Sequence, residues 1–147
     1  MTECIFPAIS VSFPSNCRGR RAAFYLAAEE YIATSMPEGN YLFTWQTKPT
    51  VVMGRNQNAY AELDVDFCHQ EGMDIIRRKS GGGSIFANEG NVMTSLVTGK
   101  GAVEPMFREY ANNVAASLRA LGAEVEVSGR NDIVLICDGV KGKICGN

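Results

Sequence analysis

Arg77-Arg78-Lys79-Ser80-Gly81-Gly82-Gly83-Ser84-Ile85-Phe86 is where the chemistry of this sequence is concentrated. Two arginines end a strand-like run, and three consecutive glycines follow a serine. Glycine has no Cβ, so Gly81 to Gly83 can adopt positive φ and let a ligand come close to bare backbone. Successive amide N–H groups turned outward in such a loop make a concave anion site. Arg77 or Arg78 can add a planar guanidinium that grips a phosphate or carboxylate at two points. The chemistry suggested is capture of a small anion at a backbone cradle; the plainer reading of the same residues is a turn.

Two clusters further on carry charge. Gly129-Arg130-Asn131-Asp132 sets a carboxylate beside an amide at a strand entrance. An aspartate there commonly forms a turn, and it is also the ligand that a phosphate-bound Mg²⁺ uses. Lys141-Gly142-Lys143-Ile144-Cys145-Gly146-Asn147 places lysines on a hairpin strand. A lysine so held is a fixed positive charge that can stabilise charge developing in a displacement. On a regular strand Lys141, Lys143 and Cys145 share one face, so spacing alone neither chooses between the lysines nor sets the thiol aside.

Other reactive types point to less. Glu29 and Glu30 are helical neighbours, roughly 100° apart, so at most one faces a site, and a solvated pair is the plainer reading. The single histidine, His69, excludes a histidine-rich metal cluster and reads as a surface residue. Five cysteines, Cys4, Cys17, Cys68, Cys137 and Cys145, are odd in number and lack a C-x-x-C pair. They read as reduced cytoplasmic thiols, neither a disulfide framework nor a zinc site.

The elements that must position these groups follow from periodicity. Ile5 to Phe13 predicts an edge strand interrupted by prolines. Arg20 to Ala33 predicts a helix whose stripe is Phe24, Ala27, Ala28, Tyr31 and Ile32, ended by Pro37 and Gly39. Tyr41–Trp45 and Thr50–Gly54 predict strands around a Lys48-Pro49 turn, and Arg55–Asn58 a polar loop. Asp64 caps a helix through Glu71 that Gly72 stops. Asp74–Arg78 is a strand into the glycine loop, and Ile85-Phe86 and Val92–Val97 follow, broken at Asn88, Gly90 and Asn91. Pro105 opens a helix with stripe Phe107, Tyr110, Val114, Leu118 and Leu121, closed by Gly122. Strands at Glu124–Val127 and Ile133–Cys137 precede an Asp138-Gly139 hairpin. The fold class is α/β (α+β), with a mixed, largely antiparallel sheet and about three helices in one domain.

Composition agrees. A chain of 147 residues with 46% hydrophobic and 20% charged residues is ordinary for one globular domain. A net charge of −2 argues against a general nucleic-acid binder. No secretory signal or membrane span is legible.

Several of these motifs, taken in order, resemble the lipoate–protein ligase family. They are Leu42-Phe43-x-Trp45, Val51-Val52-Met53-Gly54-Arg55-x-Gln57-Asn58, Arg77-Arg78-x-Ser80-Gly81-Gly82-Gly83, Gly90-Asn91, Ser128-Gly129-Arg130-Asn131-Asp132-Ile133 and Lys143-Ile144-x-Gly146-Asn147. Ala28-Glu29-Glu30 fits as well, and the resemblance covers roughly residues 20 to 147. It implies a catalytic domain similar to those of biotin protein ligases and class II aminoacyl-tRNA synthetases. It also implies ATP-dependent activation of lipoate to lipoyl-AMP, then transfer to a lysine of lipoyl-domain proteins. Those acceptors are 2-oxoacid dehydrogenase E2 subunits and the glycine cleavage H protein; neither nucleic acid nor membrane is a partner. By the same resemblance Arg78 holds the phosphate or acyl end, and Gly82, Gly83, Ser84, Ile85 and Phe86 border the nucleotide. Lys143 bridges lipoate carboxylate and α-phosphate, and Asp132 lies near Mg²⁺. An apolar slot for the lipoate tail is expected around Val51–Met53 and Ile75-Ile76.

The sequence also departs from the family. Ala87 and Asn88 replace a common His-Asp pair, and Cys145 replaces a common serine. Family members continue beyond the lysine motif, so 1–147 is expected to be the N-terminal part of the catalytic domain, truncated and of doubtful activity alone. The competing readings are an octanoyl or lipoyl transferase working through a cysteine thioester, with Cys145 or Cys137 as the thiol, and a lipoate- or adenylate-binding protein without turnover. A biotin ligase would share the fold with a different signature.

Overall fold

The computed structural model describes residues 8–15, 19–99, 103–129 and 132–146. Two compact units divide them, one from Ala8 to Gly99 and the other holding the described residues from 103 onward. Expectations at Ile5 to Pro7, Cys4, Cys17, Arg130, Asn131 and Asn147 lie outside the described residues.

The first unit holds β1 (Ile9–Ser10), α1 (Ala22–Ser35), β2 (Tyr41–Trp45), β3 (Thr50–Met53), α2 (Ala59–Glu62), α3 (Val65–Gln70), β4 (Asp74–Arg77), β5 (Ile85–Ala87) and β6 (Met93–Val97). Its strands form two three-stranded sheets, β1-β2-β6 and β4-β3-β5. β1 runs parallel to β2 and β4 parallel to β3, while β2–β6 and β3–β5 are antiparallel. The second unit holds α4 (Val103–Ala120), β7 (Val125–Val127), β8 (Ile133–Cys137) and β9 (Val140–Cys145), whose strands form an antiparallel sheet in that order. The class is therefore α+β with mixed, mainly antiparallel pairing, as expected, but built as three small sheets instead of one.

Local chemistry explains the ends. The Asp64 side chain accepts from the Phe67 amide at 2.9 Å and caps α3. Gly72 ends it at φ 64°, with Met73 N–H bonding back to Cys68 O at 2.9 Å. The short α2 was not expected; Asn58 caps it by accepting from the Tyr60 amide. At the β8–β9 hairpin Asp138 and Gly139 both have positive φ, 50° and 77°, as a primed two-residue turn requires.

The two long helices bury only part of the expected stripes: Ala28 and Ile32 on α1 and Val114 and Leu118 on α4 reach the core, beside positions the large apolar residues did not suggest. On α1 the buried positions are Ala22, Tyr25 and Ile32, while Phe24 and Tyr31 are 37% and 62% exposed. Tyr25 stacks on Trp45 with ring centroids 4.9 Å apart, and Phe13 packs edge-on against Phe24, Tyr25 and Phe43. Aromatic pairs of this kind add about 0.5–1.5 kcal/mol each beyond their buried area. On α4 the buried residues are Ala111 and Ala115, with Val114 and Leu118 beside the core and Leu121 exposed. Among the described residues no helix is long and apolar enough to cross a membrane.

Candidate active site at the glycine loop

β4 delivers Arg77 and Arg78 beside the end of β3, because Met53 pairs with Arg77 and Arg78 N–H bonds Met53 O at 2.9 Å. Both guanidinium groups then turn onto backbone carbonyls. Arg77 Nη1 donates to Gly54 O, Arg55 O and Gln57 O at 3.0, 3.1 and 2.6 Å. Arg78 donates from Nε and Nη2 to Gly81 O, from Nη2 to Gly83 O, and from Nη1 to Val52 O, at 2.7–3.2 Å. All three guanidinium nitrogens of Arg78 thus donate to backbone carbonyls and organise the loop. Arg77 engages only Nη1 among the described residues.

This arrangement decides where the loop amides point. Ser80 O accepts from Arg55 N–H at 2.9 Å, and Gly81 O and Gly83 O accept from Arg78. Gly82 O faces Gly54, where an added Cβ would lie 1.9 Å from it. In a trans peptide plane the C=O and the following N–H point opposite ways, and no cis bond occurs among the described residues. The N–H groups of Gly81, Gly82, Gly83 and Ser84 therefore face away from the carbonyl partners. Among the described residues none of the four donates to another group. This leaves four consecutive loop N–H groups able to donate to an anion, the property an anion-binding backbone nest needs.

The glycines differ in what they contribute. Only Gly82 has positive φ, 92°, while Gly81 and Gly83 do not and have open space around an added Cβ. Gly54 is the tightest position, which the glycine run did not signal. Across the loop Gln57 Oε1 accepts from Gly54 N–H at 3.0 Å and from Ser84 Oγ–H at 2.7 Å. The Ser84 hydroxyl proton is thus already placed, which leaves its amide N–H as its donor without a partner among the described residues. Ile85 and Phe86, on the edge strand β5, are 43% and 51% exposed beside the cradle.

Lys143 and Asp132 come together in the second unit. Lys143 Nζ lies 2.9 Å from Asp132 Oδ2, and its Cε and Nζ lie 2.6 and 2.7 Å from where Gly146 would carry a Cβ. Glycine at 146 leaves the room that lets the lysine fold over the chain toward the carboxylate. Lys141 pairs instead with Glu126 at 2.6 Å. The strand is irregular: Val134 pairs with Lys143 but Ile133 with Cys145, so Ile144 is an inserted residue. Cys145 consequently packs against Ala115, Val125 and Ile133, while both lysines and Ile144 are exposed. Lys141 and Lys143 keep the shared face expected of them, opposite Ile136 and Val134, while the insertion turns Cys145 to the other face. Burial, and then the Asp132 charge, push the Cys145 thiol up from its ordinary value.

The profile of the lipoyl protein ligase A/B catalytic domain matches residues 21–147. The chain belongs to this family. It is 38% identical over 124 residues to lipoate-protein ligase LplJ of Bacillus subtilis, covering 83% of this chain and 36% of that one. A bipartite lipoate protein ligase from Thermoplasma acidophilum, solved in a study with its E2 lipoyl domain, superposes with TM-score 0.74 at 28% identity, covering 93% of this chain and 52% of that one. A lipoate-protein ligase A bound with ATP gives TM-score 0.69 at 25% identity, covering 86% and 54%. The chain thus spans about a third to a half of these relatives.

Within this family member, Ala87 is 1% exposed in β5, and the following turn is closed by Asn88 and Asn91 side chains accepting from Gly90 and Asn88 amides. Of the residues expected to line a lipoate slot, Val51, Val52 and Met53 are buried, and Ile75 and Ile76 are half-buried. Val51 and Met53 pack with Ile75, and Val52 packs with Ile76. An open groove of about 560 Å³ in the same unit has a mixed lining that includes Val11, Phe13, Leu42 and Trp45 with Ser10 and Thr44. Glu29 is half-buried and accepts from Ser95 Oγ, which accepts from Trp45 Nε1 at 2.9 Å. Burial raises its carboxyl, partly offset by the Ser95 bond. Glu30 pairs with Lys79 at the loop's base. Among the described residues no group of three or more His, Cys, Asp or Glu is placed to hold a metal. Asp132 fits Mg²⁺ only as one ligand of an ion that arrives with phosphates, which is how that ion is commonly held.

Proposed function

We propose that this chain serves ATP-dependent lipoate activation, and that residues 1–147 supply part of the catalytic domain. A lipoate carboxylate oxygen attacks the α-phosphorus of ATP, the bond to the β-phosphate breaks, and pyrophosphate leaves. The amine of an acceptor lysine then attacks the acyl carbon and AMP departs. The acceptors are lipoyl-domain proteins, among them 2-oxoacid dehydrogenase E2 subunits and the glycine cleavage H protein. We place the reaction in the cytoplasm, where thiols such as Cys68, Cys137 and Cys145 stay reduced.

The observation that carries this reading is the cradle of outward amides at Gly81 to Ser84, backed by the Arg78 charge. Its groups bind and orient an anion without forming a covalent bond, which is what adenylation asks of a protein. Gly82, Gly83 and Ser84 meet phosphate or carboxylate oxygens through backbone, with Ile85 and Phe86 as the apolar border. Lys143 supplies an ammonium for the carboxylate and α-phosphate, and Asp132 holds that lysine and would take one coordination position of Mg²⁺, whose contribution is neutralisation of phosphate charge. Membership of the family and a relative solved with ATP support the nucleotide. A thioester transferase is disfavoured because Cys145 faces the core.

The test is pyrophosphate release with lipoate, octanoate or biotin, each with ATP and Mg²⁺. Lipoate is expected to be used best, octanoate next and biotin far less. Preference for biotin, or acyl transfer that proceeds without ATP, would overturn the reading.

A further inference from the structure

Gln57 is held at every polar atom except one. Its N–H donates to Gly54 O at 3.2 Å, its carbonyl accepts from Arg77 at 2.6 Å, and its Oε1 takes both the Gly54 amide and the Ser84 hydroxyl. The side-chain orientation is not arbitrary. A backbone N–H can only donate, so the atom facing Gly54 must be the amide oxygen. Nε2, with two donors, has no partner among the described residues. In a planar carboxamide Nε2 is bonded to the same carbon as Oε1, so it lies beside the point where Gly54 and Ser84 are joined through that oxygen. Gln57 is part-exposed there, next to Ser84, whose own hydroxyl proton is already engaged.

We propose that Gln57 reads the bound anion: Oε1 is bolted into the framework, and Nε2 donates to a phosphate or carboxylate oxygen seated on the amides of Gly82 and Ser84. This rests on the cradle reading above and adds a side-chain donor to it. The role is one of specificity as well as binding. A neutral amide donor attracts an anionic oxygen but, unlike lysine, adds no full charge that would hold pyrophosphate after the reaction.

The experiment uses the 147-residue chain, ¹⁵N-labelled, titrated separately with inorganic pyrophosphate and with ATP. The Gln57 side-chain NH₂ signal is identified by its loss in Gln57→Glu. That variant keeps oxygen acceptors for Gly54 and Ser84 but replaces the donor with a negative charge. Saturable shifts of the Gln57 NH₂ pair together with the Gly82 and Ser84 amides, an unchanged Tm in Gln57→Glu and a loss of at least tenfold in affinity would support the proposal. Gln57→Ala should lose affinity and Tm together. If the loop amides shift while the NH₂ pair does not, or Gln57→Glu binds as wild type, the proposal is overturned and the cradle stands. A Gln57→Glu protein that loses as much Tm as Gln57→Ala also overturns it. Pyrophosphate shifts at Gln57 without pyrophosphate release from ATP and lipoate would keep the proposal and overturn the adenylation reading. No shift with either probe overturns both.

Discussion

At the scale of single residues, the glycine that governs the site is not in the glycine run. Gly54 has ordinary φ, and its constraint is contact: the Gly82 carbonyl occupies the place of its Cβ at 1.9 Å. Gly54→Ala must therefore push the 80–83 segment off Arg78 or bend β3, and overpacking of this kind costs on the order of 1–3 kcal/mol. Gly83 is the opposite case, with unstrained φ and open space around an added Cβ. Gly83→Ala should keep the wild-type Tm and lose ATP binding, since the only volume it fills is the volume a ligand needs. Gly54→Ala should lose both. Thermal unfolding and ATP titration of the two variants check this. Normal ATP affinity in a folded Gly83→Ala protein would show the open space to be incidental. Lys79 and Glu30 matter less, because an ion pair 81% and 49% exposed contributes at most about 1 kcal/mol.

At the scale of elements, strands were more legible than the faces of helices. Period-two runs, Asp138-Gly139 and the Asp64 and Gly72 caps placed β2, β3, β4, β8, β9 and α3 within a residue or two, because each signal is local. The α1 face was legible only at Ala28 and Ile32, because its inward positions also include Tyr25, which stacks on Trp45, and Glu29, which accepts from Ser95, both partners lying on strands elsewhere in the sequence. A count of large apolar residues is blind to that, as it is to small Ala111 and Ala115 on α4. The inserted residue at Ile144 was equally invisible, and it separates Lys143 from Cys145. Its consequence can be measured. Lys143→Ala should lose roughly 100- to 1,000-fold in lipoate adenylation rate, the scale of one preorganised donor to a developing anion. Lys141→Ala, which breaks only an exposed pair with Glu126, and Cys145→Ser should stay near wild type. A dead Cys145→Ser protein that does not need ATP would restore the thioester mechanism.

At the scale of the whole molecule, a half-buried carboxyl makes stability depend on pH in a way the fully exposed charges do not. Glu29 sits between α1 and the β1-β2-β6 sheet with its carboxyl raised by burial, against a smaller lowering by the Ser95 hydroxyl. A carboxyl with a raised folded value contributes stability that is complete below its unfolded value and lost as pH rises through the folded one. Asp74 has the opposite sign: burial would raise it, but hydrogen bonds and charge from Arg21 and Lys48 bring it below its ordinary value. Its contribution is present above the unfolded value and lost in acid. The two overlap in a simple pH scan, so the informative quantity is the Tm difference between wild type and Glu29→Gln. Glutamine keeps an oxygen for Ser95 and removes the ionisation. The difference should be small at pH 4 and should grow in favour of Glu29→Gln from the ordinary glutamate range toward neutrality. A glutamine variant less stable at pH 7 would overturn this, because it would mean that the folded protein favours the ionised form of Glu29.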